Sequence, residues 1–372
     1  MAKRLFPVTL SNYTQGRDNN FNLIRIMAAL AVLVTHSFAL ATGTGAAEPF
    51  RDSLGMTMGT IAVDFFFVTS GFLVTGSLVM RQNACEFLWA RFLRIFPALL
   101  VMLLLTVFGL GPFLTSRPLS SYFTDVLTYG YLVKCATLIS GVWYNLPGVF
   151  DDNPYRHAVN GSLWSLPYEI RMYVIVVMVW LVFRRIQRIG GRAFSIAIVS
   201  ATLVTGLIVI TRHIEGLPAD QFSTLFFMFF SGASCCLLKE QIAMSHGRFC
   251  FCAVALLSSA LVGPRTFFIA YLLTIAYSVL YLAYIPSGPV RIYNRVGDYS
   301  YGVYIYAFPV QQSVAALLPG VSVLLLFLMS ACITLSLAVL SWHLIEWRAL
   351  AFKGSVSWWA GTSPSLRPIF RE

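Results

Sequence analysis

Arg25 and His36 lie eleven residues apart inside the apolar run FNLIRIMAALAVLVTHSFAL. In a helix that spacing is close to three turns, so both side chains share one face, about 16 Å apart along the axis. Ionisable groups at membrane depth are costly and mark function by default. Two carboxylates join them, Asp64 in GTIAVDFFFVTSGFL and Glu169 in GSLWSLPYEIRMYV. Each stands near the start of an apolar run entered from the same side, so both are expected at the level of His36. An imidazole beside a carboxylate is an acid/base arrangement: histidine exchanges protons near neutrality, and the carboxylate orients the ring. His36, Glu169 and Asp64 are therefore the candidate catalytic residues.

A second group lies in RQNACEFLWARFLRIFPALL. Arg91 and Arg94, three residues apart, project from one side of a helix. They are expected at its start, where a helix N-terminus favours anions. Two guanidiniums there suit a phosphate, such as that of a nucleotide-bearing donor like coenzyme A. Plainer readings stand beside these. An arginine pair at a span's end is commonly a topology anchor, and Asp64 has the alternative of partnering a buried hydroxyl. A lone buried histidine is usually packed and hydrogen-bonded. Trp164, Tyr168 and Tyr173 fit an aromatic belt, although ring faces at an outer site also suit sugars.

These residues need a scaffold, and the composition says which kind. Of 372 residues 58% are hydrophobic and 11% charged, with 15% aromatic. That profile is an all-α polytopic membrane protein. Runs of suitable length lie near 21–42, 58–80, 95–114, 168–183, 193–211, 221–238, 249–263, 267–285, 298–316 and 320–343, a bundle of about ten transmembrane helices. The stretch 122–143 is interrupted by Asp125 and Lys134 and reads as an additional re-entrant or interfacial segment. The first run reads as an uncleaved span, since a histidine inside it and a long polar lead do not suit a secretory signal.

The net charge of +11 does not point to nucleic acid, because the cations are scattered between apolar runs. Placing the N-terminus in the cytoplasm puts 18 of the 26 lysines and arginines on the inner side and 6 outside, with Arg25 and Arg171 within or at the edge of spans. Ten crossings with both termini cytoplasmic follow from that bias. The outer segment 115–167 reads as an ordered loop, and residues 351–372 as a basic, solvated cytoplasmic tail. The seven cysteines show neither metal-ligand spacing with histidine nor a disulfide framework, so no metal site is expected.

Six motifs in order resemble the acyltransferase-3 family, membrane O-acyltransferases of bacterial polysaccharides, O-antigen, exopolysaccharide and Nod factors. They are the Arg25-to-His36 spacing, VDFFFVTSGFL, RFLRIFPAL, WSLPYEIRMY, VGDYSYGVYIYAFPVQQ and SWHLIEWRALAF. The chain departs from the family's usual pattern at Ala307, where many members have histidine, and at Ile170, often acidic. The resemblance implies a stand-alone enzyme over residues 1–350 in the bacterial inner (cytoplasmic) membrane. It implies an acyl-CoA co-substrate, most often acetyl-CoA, bound on the cytoplasmic side by Arg91 and Arg94 with Arg25 a further contact, and no bound cofactor. The acceptor would be a hydroxyl of a cell-surface or lipid-linked glycan. His36 would be the general base, and Ser70, Gly71, Trp164 and Tyr173 would line the substrate or acyl path. The rivals from other classes are a transporter or flippase for a lipid-linked saccharide, and a scaffold subunit of an export complex. Ten spans with charges at mid-depth suit transport, but the sequence shows no inverted repeat.

Overall fold

A computed structural model describes residues 8–16, 18–185 and 190–354. Among them there is no strand, only two isolated bridges, Thr9 with Ala243 and Thr115 with Val149. Helices occupy each of the ten apolar segments: α1 Phe21–Thr42, α2 Met58–Arg81, α3 Ala84–Leu114, α5 Gly161–Arg184, α6 Gly190–Ile214, α7 Gln221–Leu237, α8 His246–Val262, α9 Pro264–Tyr284, α10 Ser300–Leu317 and α11 Val323–Gly354. The additional α4, Val126–Thr137, lies in the expected outer loop. Seven helices are long and apolar enough to cross a membrane, namely α1, α2, α3, α5, α6, α9 and α11. The protein is thus a multi-pass membrane protein. α7 and α8 have 17 residues each, and α10 spends much of its length on tyrosines and two glutamines.

Several helices start where a side chain takes up first-turn N–H groups. Thr57, Asn83, Asp220, Ser245 and Ser322 all accept from the turn that follows them. Leu203, Leu207, Phe251, Leu257, Leu261 and Leu273 are exposed, a lipid-facing apolar surface rather than a water-facing one. α4 rises only about 18 Å over its 12 residues, short of the roughly 30 Å hydrocarbon core. The expected tail falls mostly outside the described residues, and positions 351–354 simply complete the end of α11.

Two helices touch backbone to backbone. A Cβ added at Gly71 of α2 would lie 1.8 Å from the carbonyl oxygen of Phe229 in α7, and one at Gly232 would lie 2.1 Å from that of Val68. Small residues let membrane helices approach this closely. Gly71 is therefore a packing contact in an unbroken helix. α10 forms the buried centre, and its Gln311 donates to the Leu33 carbonyl (2.8 Å) and the Ser37 hydroxyl (2.7 Å) of α1.

The segment 115–167 does not stay outside the bundle. Asn153 donates to Gln312 at both its carbonyl (2.9 Å) and its side-chain oxygen (2.7 Å), and Gln312 donates to the carbonyls of Tyr155 and Ala158. Further in, Asn160 donates to the Ile305 carbonyl at 2.9 Å. That carbonyl would ordinarily serve residue 309, but Pro309 has no N–H. The asparagine takes the acceptor that the proline frees. Val159, Asn160, Ser162 and Leu163 are all fully buried, so the chain has dipped into the bundle before α5 begins its regular turns.

Gly71→Val and Gly232→Val are each expected to destabilise the fold by about 1–3 kcal/mol or more, because backbone cannot move aside. Thermal unfolding in detergent would show it. Gly109→Ala, whose added methyl meets nothing within 4 Å, is expected to leave the transition in place.

Candidate active site

Arg25 of α1, Ser70 of α2, Arg91 and Arg94 of α3, Glu169 and Tyr173 of α5 and Tyr301 of α10 line one cavity of about 50 Å³, with Thr69, Leu73, Val74 and Ile95. That is room for a few waters. All three candidate donor-binding arginines meet there, together with one expected catalytic carboxylate and two of the expected path residues. The arginine pair is not at a helix start, however. α3 begins at Ala84, and its first-turn N–H groups of Cys85 and Glu86 are already bound by Asn83. Arg91 and Arg94 therefore face inward from within the helix. Their setting is made by side chains, not by a helix terminus.

Two acidic residues that the sequence reading passed over dominate the electrostatics. Asp298, just before α10, accepts from Arg25 at 2.8 Å and from Arg94 at 2.5 Å. Glu346 accepts from Arg94 at 3.1 Å and from the Ser341 hydroxyl at 3.1 Å. Arg94 also lies over the rings of Tyr301 and Trp342, at 5.6 and 5.8 Å. Glu346 reaches this point because residues Trp342–Glu346 form a π turn. Along α11 the buried positions run Leu326, Ser330, Thr334, Ala338 and Ser341, then skip to Glu346. The wider turn brings the carboxylate inward, where an unbroken α-helix would have carried it off that face.

Glu169 accepts from the Ser70 hydroxyl at 3.2 Å and from the Tyr173 hydroxyl. Arg91 shares the cavity but belongs to no ion pair among the described residues, and its Nε is buried without a hydrogen-bond partner. Trp164 does not line the cavity; its ring packs against Tyr168, 6.0 Å between centroids.

His36 stands apart. Its ring meets Phe308 edge-on at 5.0 Å, and its Nδ1 is buried without a partner. Neither carboxylate touches it. Asp64 instead accepts from the Tyr271 hydroxyl at 3.0 Å, the buried-hydroxyl alternative realised. The common depth expected for the three groups is not found. Gly59 faces Thr35 and Phe21 stacks on Phe72, which sets α1 and α2 antiparallel. In that register Ser70, and Glu169 with it, lies level with Arg25. Asp64 lies roughly 9 Å inward of His36. The reasons are local: α1 runs past the start of α2, so that Thr35 already faces Gly59 in the first turn of α2, and the dipped segment starts α5 deep in the bundle.

A family model for an acyltransferase domain matches residues 18–343. The chain belongs to the acyltransferase-3 family. It is similar, at 30% identity over 346 residues, to an O-acetyl transferase of Shigella phage Sf6, covering 90% of this chain and 96% of the relative. It is also similar, at 25% identity over 371 residues, to nodulation protein 10 of Rhizobium leguminosarum bv. viciae, covering 93% and 97%. No solved structure matches it. The protein is an O-acyltransferase enzyme, and membership in this family selects catalysis over the transport and scaffold readings.

The acyltransferase cavity depends on where the dipped segment is anchored. Asn160→Ala removes the donor to the Ile305 carbonyl and the acceptor for the Ser162 N–H. It is expected to cost roughly 1–2 kcal/mol in thermal stability and to lower acyl transfer, since Glu169 then loses its fixed level.

Proposed function

We propose that this acyltransferase moves an acyl group, acetyl in the first instance, from a coenzyme A thioester on the cytoplasmic side to a hydroxyl of a cell-surface or lipid-linked glycan at the outer face of the bacterial inner membrane. The observation that carries the reading is the partition along α1. Arg25 marks an arginine-lined cavity at one end, and a partner-free imidazole lies on the same face about 16 Å away. The likeness to an O-acetyl transferase favours acetyl as the group moved. The charge bias of the loops supports the arginine end as the inner one, with ten crossings and both termini cytoplasmic as part of the proposal.

In this reading the anionic part of the donor stays at the arginine cavity. Glu169, held by Ser70 and Tyr173, gives Arg91 a counter-charge while the site is empty. The uncharged pantetheine arm, of length comparable to the separation, extends toward His36. A ring nitrogen of His36 takes the proton of the acceptor hydroxyl as its oxygen attacks the thioester carbonyl. The new C–O bond forms, the C–S bond breaks, and the leaving thiolate receives that proton from the imidazolium, which restores the base. Asp64, bonded to Tyr271 between the two levels, acts on the site through packing rather than on the imidazole.

Purified protein given labelled acetyl-CoA and lipid-linked glycans is expected to label the glycan, with the label released by alkali. His36→Ala is expected to lower that transfer by about 10²–10⁴-fold, the usual worth of a general base, while the protein still accumulates in the membrane. Wild-type rates in that variant, or no use of acetyl-CoA by the unaltered chain, would overturn the reading.

A further inference from the structure

The three arginines of the cavity are not equivalent. Arg25 and Arg94 share Asp298, and Arg94 has Glu346 as well. Two guanidiniums and two carboxylates thus form a neutral, closed set. Arg94 is held on several sides: two carboxylates, the ring of Tyr301 and that of Trp342. Asp298 is fixed in turn by the Ser300 hydroxyl and N–H, and Glu346 by Ser341. Arg94 cannot turn toward a ligand without leaving the buried Glu346 unpaired, which is strongly disfavoured in this setting, and Arg25 cannot do so without leaving Arg94 as the one cation facing both Asp298 and Glu346. Arg91 is different. It has the same cavity and no ion pair among the described residues, and Glu169, the remaining carboxylate of the cavity, is more than 4 Å from its nitrogens, since no such pair forms.

We infer that Asp298 and Glu346 are positioning residues that neutralise and lock Arg25 and Arg94 as a wall of the cavity, leaving Arg91 to present its guanidinium to the donor's anionic group. This rests on the acyl-CoA reading above. It divides the Arg-x-x-Arg pair by role: Arg91 binds, while Arg94 shapes. The π turn of α11 is then a functional device, because without it Glu346 would leave Arg94 half-neutralised. Glu346 lies just beyond the matched region that ends at 343.

The division has a consequence that a merely structural ion pair would not. Removing Glu346 alone frees part of the Arg94 charge inside the cavity, where it captures the donor's anion in the wrong place. Glu346→Gln is therefore expected to lower kcat about tenfold without raising the KM for acetyl-CoA. Removing both charges together, in Arg94→Gln with Glu346→Gln, leaves the Arg25–Asp298 pair balanced. That double variant is expected to regain most of the lost kcat, a strongly non-additive pair. Arg91→Gln is expected to raise the KM for acetyl-CoA tenfold or more, with kcat changed by less than about threefold. The wild-type rate with acetyl-CoA is measured first, and its absence would count against the donor reading rather than this division of roles. Given an active wild type, an Arg94→Gln variant with the same donor KM defect as Arg91→Gln would overturn the inference, as would a double variant no better than Glu346→Gln. If Glu346→Gln fails to accumulate, the conservative pair decides. Arg91→Lys must raise the donor KM, because a lysine lacks the guanidinium fork, and Arg94→Lys must leave it within about twofold; the reverse order refutes the assignment.

Discussion

Arg94, clamped between Asp298 and Glu346, is the interaction on which the candidate site depends. Charges inside an apolar bundle are held in place by pairing and hydrogen bonding, and breaking such a set typically costs about 3–5 kcal/mol. Here the set ties three distant parts of the chain together: α3 through Arg94, the entry to α10 through Asp298, and the end of α11 through Glu346. Arg25 extends the tie to α1. Four helices thus converge on one point for electrostatic reasons, and the cavity is what their side chains leave between them. Tyr301 reinforces the junction from another direction, with its ring under Arg94 and its hydroxyl donating to the Ile95 carbonyl at 2.8 Å.

A second constraint fixes the remaining wall. Pro309 leaves a carbonyl of α10 without its helical donor, and a bilayer offers no water to replace it. Asn160 fills the gap, which holds the outer segment down inside the bundle. Ser165 shares a hydrogen bond with Tyr304, the neighbour of Ile305, at 2.7 Å, and α5 then carries Glu169 at the arginine level. A helix-breaking residue in one element thus sets the depth of a carboxylate in another. Irregular backbone at this depth is tolerable only because it is enclosed by protein.

The fold was largely legible in the chain, because twenty-residue apolar runs have few alternatives in a membrane. Helices occupy every segment so read, and the short α4 lies in the interrupted stretch. The site was legible in part. Arg25, Ser70, Arg91, Arg94, Glu169 and Tyr173 do meet, but the relation among His36, Asp64 and Glu169 was misplaced. That error came from measuring depth by distance from a run's first residue. Such a count cannot register a segment that dips inward before its helix begins. Asp298 and Glu346 carried the same signal as Asp64, a carboxylate in or beside an apolar run. They went unremarked because one sat at a span's edge and the other beyond its expected end. The π turn has no local signature that spacing could expose: the buried positions from Leu326 to Ala338 imply that residue 346 points away.

The separation between the cavity and His36 has a physical logic of its own. Carrying an anion to mid-bilayer is far more costly than carrying an uncharged chain there. On the proposed reading, the donor's charge is met at the near end, where Arg91 is unpaired, and only a neutral arm travels further. His36 then needs no charged neighbour. A partner-free Nδ1 beside the edge of Phe308 leaves the ring without an anion against it, whereas a carboxylate in contact would favour the imidazolium before the acceptor arrived. The absence of the expected His–carboxylate contact is thus consistent with a base that is free at the start of the cycle. Asp64 belongs to this logic as well: bonded to Tyr271, it places no anion against the imidazole and none in the path between the two ends.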